Sequence, residues 1–242
     1  MKSLITICLV GLLLPLGACS TTSDPVSHVQ DENGEVRVQV DGATLSNTVH
    51  GHFAAGHETV PFSVIERDLG ERLSPSVNEL DLARDIHDAV NKERERHGLS
   101  PYAWADSLSD IASVHSADMA KHGFFAHENL SGNTVNERAI KLGQRCERQI
   151  DDRRMAVGFG ENLAKQSHFT SVRANFADYD RSEIKRLSFR WLPLQHVVDA
   201  TVNGWMNSSG HRSNILHDHH QAQGISISRS DDQVMYITQV LC

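Results

Sequence analysis

The sequence lacks the features that mark several protein classes. Its 242 residues hold 23 Lys and Arg against 31 Asp and Glu, a net charge of −8 with histidine neutral, and the acidic residues are dispersed. A nucleic-acid-binding protein usually presents a basic face, so this balance argues against a nucleic-acid partner. The N-terminal apolar run, from Leu4 to Leu16, is shorter than the about 20 residues that a membrane-spanning helix needs. The composition, 39% hydrophobic and 22% charged, suits one globular domain with additional segments.

The first twenty residues indicate export. Lys2 precedes the apolar run, and small residues then lead to Cys19, the pattern of a secretory signal. The stretch Leu16-Gly17-Ala18-Cys19 resembles the lipobox of bacterial lipoproteins. That resemblance implies that residues 1–18 are removed, that Cys19 is acylated and that the lipid is the protein's contact with a cell-envelope membrane. Ser20 after the cysteine favours the outer membrane by the same resemblance, while an ordinary signal peptide with a chance cysteine is the alternative.

The chain contains few cysteines, and each of the four has a separate interpretation. Cys8 lies in the predicted signal and Cys19 is the predicted lipid attachment site. Cys146 and Cys242 remain, in a compartment that permits disulfides. A bond between them would tie the last residue to a mid-chain loop. Two separate thiols are the alternative.

The order of predicted elements indicates an α+β domain. Residues 19–78 are interpreted as a flexible tether with at most one hairpin, and residues 79–242 as the domain. Apolar residues at helical spacing predict helices from about Leu80 to His97, from Asp106 or Ser107 to Gly123, over Val135–Leu142, and from Val198 to a stop at Ser208-Ser209-Gly210. "GISIS" and "QVMYITQVLC" alternate and predict a final hairpin. Helices first and a hairpin last favour α+β over parallel α/β.

Three polar residues stand where loops would surround one site: His127, Glu161 and His211. Two imidazoles and a carboxylate suit Zn²⁺ or another divalent metal with a position open for water, and they also suit acid–base chemistry. The three are far apart in sequence, so spacing alone is a weak signal. His115 falls on the buried stripe of the second helix, where a core role is the default and a ligand role the alternative.

Five ordered motifs identify a family resemblance. "HSADMAKHGFFAHENLSG…ER", "GENLA", "WMNSSGHRSNIL", "GISIS" and "YITQ" resemble the CAP superfamily of cysteine-rich secretory, antigen 5 and pathogenesis-related proteins, also called SCP-like domains. The resemblance covers about Leu80 to Cys242 and is closest to the bacterial extracellular branch. It implies an α-β-α sandwich with a central antiparallel sheet, and a cleft lined by two His and two Glu. His127, Glu161 and His211 match three of these, whereas Ser208, three residues after Trp205, stands where the second glutamate would be.

The resemblance leaves three functions open. The cleft, formed by His127, Glu161, His211 and Ser208, is expected to bind a divalent metal, a small apolar or glycan-like ligand, or an unidentified envelope component. A metal-dependent hydrolase with Glu161 as base is the alternative, while neither Ser208 nor Ser209 lies in a Gly-x-Ser-x-Gly nucleophile pattern. In a third interpretation Glu161 is a buried acid tied down by the two histidines, without a ligand. The extra length at 166–194 is interpreted as irregular surface elaboration, or as a lid or docking surface.

Overall fold

The computed structural model describes residues 26–30, 36–41, 75–176, 184–231 and 233–242. The predicted signal peptide, Cys19 and most of the predicted tether lie outside these residues, so the predictions made for them are unaffected. Among the described residues, no helix combines the length and the apolar character needed to cross a membrane.

The helices and strands of the described residues follow one another in a mixed order. The helices are α1 (Glu79–Arg96), α2 (Asp106–His122), α3 (Val135–Lys141), α4 (Leu194–Asn207) and α5 (Ser209–Ile215). The strands are β1 (Val26–Gln30), β2 (Val36–Asp41), β3 (Ala103–Trp104), β4 (Glu147–Asp151), β5 (Arg154–Val157), β6 (Gly160–Ser167), β7 (Phe169–Phe176), β8 (Ile184–Trp191), β9 (Ala222–Arg229) and β10 (Val234–Leu241).

The central sheet has the strand order β3-β9-β10-β6, with helices packed on both faces. Strand β10 pairs antiparallel with both β6 and β9, whereas β3 pairs parallel with β9. The α+β prediction is confirmed, but the sheet is mixed rather than wholly antiparallel. The parallel strand is only two residues long, because the chain merely passes along the edge of β9 between α1 and α2.

The alternation of β10 separates two apolar layers. Met235 and Ile237 belong to the core that α1 and α4 form with the sheet, where Trp205 is fully buried. Val240 belongs to the opposite layer, with apolar residues of α2 and α3, and Tyr236 packs near Met119 on α2. Successive residues of a strand point to opposite faces, so the predicted strand pattern already contains both layers.

Helix α2 lies unusually close to β9. A methyl group at Gly224 would stand 2.1 Å from the Ser109 amide nitrogen and 2.3 Å from the Leu108 carbonyl carbon. Because only a residue without a side chain leaves room for the helix backbone, Gly224 fixes the packing distance of this layer. The "G" of "GISIS" is therefore a packing residue.

A second sheet corrects the interpretation of 166–194 as irregular. Its strand order is β1-β2-β8-β7, and neighbouring strands are antiparallel. Two strands of the segment interpreted as a tether, β1 and β2, therefore share a sheet with β7 and β8 of the extra length at 166–194. Phe189 and Trp191 on β8 are buried, as is Val38 on β2. The basic residues interleaved in "IKRLSFRW" conceal its alternation, and the partner strand lies far away in the sequence.

One predicted N-cap is wrong, while a predicted helix end and a covalent prediction are confirmed. Ala105, rather than Asp106 or Ser107, is the N-cap of α2. Helix α4 stops at Ser208 as predicted, but Ser209 and Gly210 belong to α5, so the chain turns at Ser208 alone, whose backbone is extended. Cys146 and Cys242 form the predicted disulfide, which closes a loop across a sequence separation of 96.

Candidate binding cleft beside the edge strand

Glu161 is the buried residue of the predicted cleft. It lies on the edge strand β6, opposite Val240, and its side chain is 4% exposed. Its Oε1 accepts a hydrogen bond from His127 Nδ1 at 2.8 Å, and its Oε2 accepts from Arg138 Nη2. Both carboxylate oxygens therefore have a charge-assisted or polar partner within the protein.

Arg138 is the site residue that the sequence analysis missed. Its side chain is 3% exposed, and besides Glu161 its Nη1 donates to the carbonyl oxygens of His127 at 2.8 Å and Asn133 at 3.0 Å. One guanidinium thus neutralises the carboxylate and shapes the loop that carries His127. The available signal was its spacing: Val135, Arg138 and Ala139 share the buried stripe of α3, where an unpaired charge would be costly.

His127 presents one nitrogen inward and one outward. Its side chain is 58% exposed, and the hydrogen bond from Nδ1 to Glu161 raises its pKa, against an opposing contribution from burial. Because Nδ1 is committed to the carboxylate, Nε2 is the nitrogen that a ligand in the cleft can reach. Such a hydrogen bond also selects the tautomer, a common arrangement behind ligand-binding histidines.

His211 faces His127 from a different element. It lies near the start of α5, half-buried, with its ring centroid 6.4 Å from that of His127 and the two planes tilted by 52°. Burial, and then the neighbouring His127, lower the pKa of His211. The two imidazoles are thus shifted in opposite directions, one towards the charged form and one towards the neutral form.

Helix α5 is fastened to β6 by two asparagines. Asn162 donates from Nδ2 to the His211 carbonyl oxygen at 3.1 Å. Asn214 donates from Nδ2 to the Glu161 carbonyl oxygen at 3.1 Å and to Asn162 Oδ1 at 2.8 Å. Ser208 contributes through its backbone, because its carbonyl oxygen accepts from the Arg212 amide at 2.8 Å in the first turn of α5.

His115 supports the cleft from below as a core residue. It is fully buried on α2, and its Nε2 lies 2.8 Å from the carbonyl oxygen of Ala126, the residue before His127. Burial, and then the positive charge of Arg138, lower its pKa. This matches the default interpretation of a histidine on a buried stripe.

The donors present fit a metal ion only partly. No group of three or more His, Cys, Asp or Glu side chains in the described residues is arranged to hold a metal. His127 and His211 are the two imidazoles of the candidate site, with ring centroids 6.4 Å apart, and their ring nitrogens are the candidate donors to an ion. Both oxygens of Glu161 already accept from protein groups and its side chain is 4% exposed, so Glu161 is less accessible to an ion than His127, which is 58% exposed.

The family relationship follows from a sequence match to this same domain. Residues 87–241 match CAP, the cysteine-rich secretory protein family. The chain belongs to this family. The match spans α1 to β10 and so contains all four residues predicted for the cleft, in agreement with the resemblance found in the motifs.

Several individual proteins are similar to the chain. An uncharacterized membrane protein of Bacillus subtilis, YlbC, is 27% identical over 146 residues, which is 60% of this chain but 31% of that protein. The chain therefore spans about a third of the length of this relative. An outer surface protein of Borrelia burgdorferi is 15% identical, with 68% of this chain and 94% of that chain covered and a TM-score of 0.48. An extracellular SCP-domain protein of Bacillus anthracis is 18% identical, with coverages of 90% and 67% and a TM-score of 0.46.

Proposed function

We propose that this CAP-domain protein is exported, is anchored to the cell envelope through lipid on Cys19, and binds a divalent metal between His127 and His211. The observation that carries the metal assignment is the 2.8 Å hydrogen bond from His127 Nδ1 to the buried Glu161 carboxylate. A carboxylate behind a histidine fixes the tautomer with Nε2 as acceptor and raises its basicity towards a metal.

Arg138 explains why Glu161 serves as an outer partner. The guanidinium balances the carboxylate charge inside the protein, so the carboxylate has no need of a metal for neutralisation. Two imidazoles leave further coordination positions to water or to an incoming ligand. A small glycan-like or apolar envelope component is the class of ligand that would complete the cleft. Bound zinc or another divalent ion would supply Lewis-acid polarisation of that ligand.

Calorimetric titration with zinc in chelator-free buffer tests the metal. We expect one site per chain, with heat lost in His127→Ala and in His211→Ala and with weaker binding in Glu161→Gln. His122→Ala is the matched control, since this half-exposed histidine lies on α2 near Asp118 and outside the cleft. No heat in the unmodified protein, or unchanged heat in both cleft variants, would refute the metal assignment.

A structural role is the second candidate, and one observation favours it. Both oxygens of Glu161 are already satisfied by protein groups, as they would be in a cleft that needs no ligand. In that case zinc and envelope components would give no heat, and Glu161→Gln would change only stability. Hydrolysis with Glu161 as base is less favoured, because this nearly buried carboxylate already accepts from His127 and Arg138. Turnover of envelope peptides or glycans, lost in Glu161→Gln, would establish that activity.

Anchoring is tested independently of the cleft. Cells grown with a labelled fatty acid should incorporate the label into the full chain but not into Cys19→Ala. The variant should also lose the lipid-dependent share of its membrane association, because it has no acylated residue. Equal labelling of both proteins would overturn the anchor and leave the metal proposal untouched.

A further inference from the structure

A buried chain of side-chain amides crosses the sheet beneath α1 and α4. Asn162 on β6 donates to Gln239 Oε1 on β10 at 2.8 Å, and Gln239 Nε2 donates to Gln223 Oε1 on β9. Gln223 Nε2 then lies 2.9 Å from Nδ1 of His87 on α1. The three amide side chains are fully buried. This amide chain therefore links β6, the strand beside the predicted cleft, to His87 of α1, which contacts β9 two strands away.

The cleft end of this chain has a fixed direction. Asn162 accepts from Asn214 through Oδ1 and donates through Nδ2 to the His211 carbonyl oxygen. Rotating the Asn162 amide by half a turn would set its oxygen against that carbonyl and its NH₂ against the NH₂ of Asn214. These contacts dictate that each amide in turn directs its NH₂ towards His87.

At the other end of the amide chain, beyond His87, the amide of Asn91 also directs its NH₂ towards the His87 ring. Asn91 accepts from the Tyr102 amide at 2.8 Å and donates to the Tyr102 carbonyl oxygen at 3.0 Å, which holds its amide in one orientation. Its Nδ2 also lies 3.1 Å from His87 Nε2. His87 thus meets an NH₂ donor at each ring nitrogen. A neutral imidazole accepts at one nitrogen only, and an imidazolium accepts at neither.

We propose that His87 is coupled to the cleft through this amide chain, so that a proton on His87 weakens the hydrogen bonds holding α5 and His211 against β6. The ring of a protonated His87 cannot accept from Gln223, whose Nε2 then has only the more distant His87 carbonyl oxygen, at 3.5 Å, as an acceptor. Turning the Gln223 amide gives the imidazolium an acceptor, and Gln239 and Asn162 follow, each exchanging oxygen for NH₂. The inverted Asn162 opposes His211 and Asn214, which loosens the anchor of α5. That this loosening alters ligand binding rests on the proposed function; the coupling itself does not.

Burial is the main influence on the pKa of His87, which it lowers. Of the nearby charges, both on α1, Asp88 raises this pKa and Arg84 lowers it. The Arg84 guanidinium lies over the Trp104 ring and 3.7 Å from Asp106, the charged group at the start of α2. Trp104 meets the imidazole edge-on at 5.4 Å, and β9 contributes the neutral Gln223.

Nuclear magnetic resonance of the side-chain NH₂ groups tests the coupling without any ligand. Between about pH 8 and about pH 4.5, we expect the ¹⁵N signals of Gln223, Gln239 and Asn162 to shift with the midpoint of the His87 ring, below 6.5. The neighbouring strands lie about 5 Å apart, so Asn162 is too distant from His87 for a strong direct effect. In Gln239→Met, which interrupts the chain, Gln223 should still follow His87 while Asn162 no longer does.

Two further variants separate His87 from nearby histidines. His87→Gln should abolish the step in Asn162, whereas His220→Phe, which removes a titrating ring near Asn214, should retain it. A static Asn162 in the unmodified protein, or a step unchanged in His87→Gln or Gln239→Met, would overturn the coupling. Calorimetric titration with zinc tests the proposed metal site separately. If zinc gave no heat while the Asn162 ¹⁵N signal still shifted with the His87 titration, the proposed metal would be refuted and the coupling would stand.

Discussion

The buried pair of Arg138 and Glu161 gives the sharpest test of the cleft's construction. Arg138→Met removes the guanidinium while keeping an unbranched side chain. Both partners are almost fully buried, at 3% and 4% exposure, so water cannot easily replace the lost charge. Breaking a buried pair from one side typically costs about 3–5 kcal/mol, because an uncompensated charge is left behind. The carbonyl oxygens of His127 and Asn133 would each also lose one donor, although the Asn133 oxygen would keep the Asn129 amide.

Urea denaturation at about pH 7, with the disulfide intact, measures this loss. We expect Arg138→Met to lower the free energy of unfolding by about 3–5 kcal/mol. Glu161→Gln should cost less, since a neutral amide is cheaper to bury than an unpaired charge. The double variant should then be more stable than the sum of the single losses implies, with a coupling of about 2 kcal/mol or more.

Arg138→Lys separates charge from geometry in the same assay. Lysine keeps the positive charge but not the planar fork that reaches Glu161 and two carbonyl oxygens together, so an intermediate loss is expected. If Arg138→Met cost less than about 1 kcal/mol and the cycle showed no coupling, the carboxylate would not be a desolvated charge. The account of Glu161 as an internally neutralised outer partner would then fail.

Three further predictions concern other parts of the domain. Gly224→Ala should lower the unfolding free energy by about 3 kcal/mol or more, because the added methyl group would meet the backbone of α2. Gly210→Ala is the control: its methyl group would meet nothing within 4 Å, so this variant should be neutral or mildly stabilising. Equal effects of the two variants in urea denaturation would contradict the close packing of α2 on β9. Replacing Cys146 and Cys242 by alanine should cost up to about 5 kcal/mol for a loop of this length, and an unchanged melting temperature after reduction would contradict this. Burial lowers the pKa of His220 from 6.5 to about 4, so the stability that depends on its neutral ring is fully present above pH 6.5. This stability, up to about 3 kcal/mol, is lost as the pH falls towards 4. His220→Phe should therefore make the free energy of unfolding less dependent on pH between 6.5 and 4, and a pH profile parallel to that of the unmodified protein would refute the lowered pKa.

The helices and strands that could be predicted from the sequence are those whose buried residues recur at the regular spacing of a helix or a strand. Helix α1 buries Leu82, Ile86 and Val90, and β10 alternates between two apolar layers, so each pattern is complete within one element. In the second sheet, β2 alternates within the segment where one hairpin was allowed, but its pairing with β8 had no such signal. Strand β8 pairs with β2, from a segment interpreted as a tether, and no local pattern specifies a partner so distant in the sequence.

The cleft was predictable residue by residue but not as a set of contacts. His127, Glu161 and His211 stand in recognisable motifs, and the structure brings them to one place. That Glu161 gives one oxygen to His127 and the other to Arg138 depends on how α3 docks beside β6, which no spacing encodes. Because of that docking, both oxygens of Glu161, which was predicted as a metal ligand, accept hydrogen bonds from protein groups.

The three residues Gly160-Glu161-Asn162 show how one edge strand serves two purposes. Because neighbouring side chains of a strand point to opposite faces, Glu161 turns towards α3 while Asn162 turns beneath α4 and α5. A methyl group at Gly160 would stand 2.9 Å from the ring of His220, so that ring would have to move to admit one. One face thus fixes His127 through a carboxylate and the other fixes His211 through an amide. Two histidines from separate segments of the chain are held together because consecutive residues of β6 hold them from opposite sides.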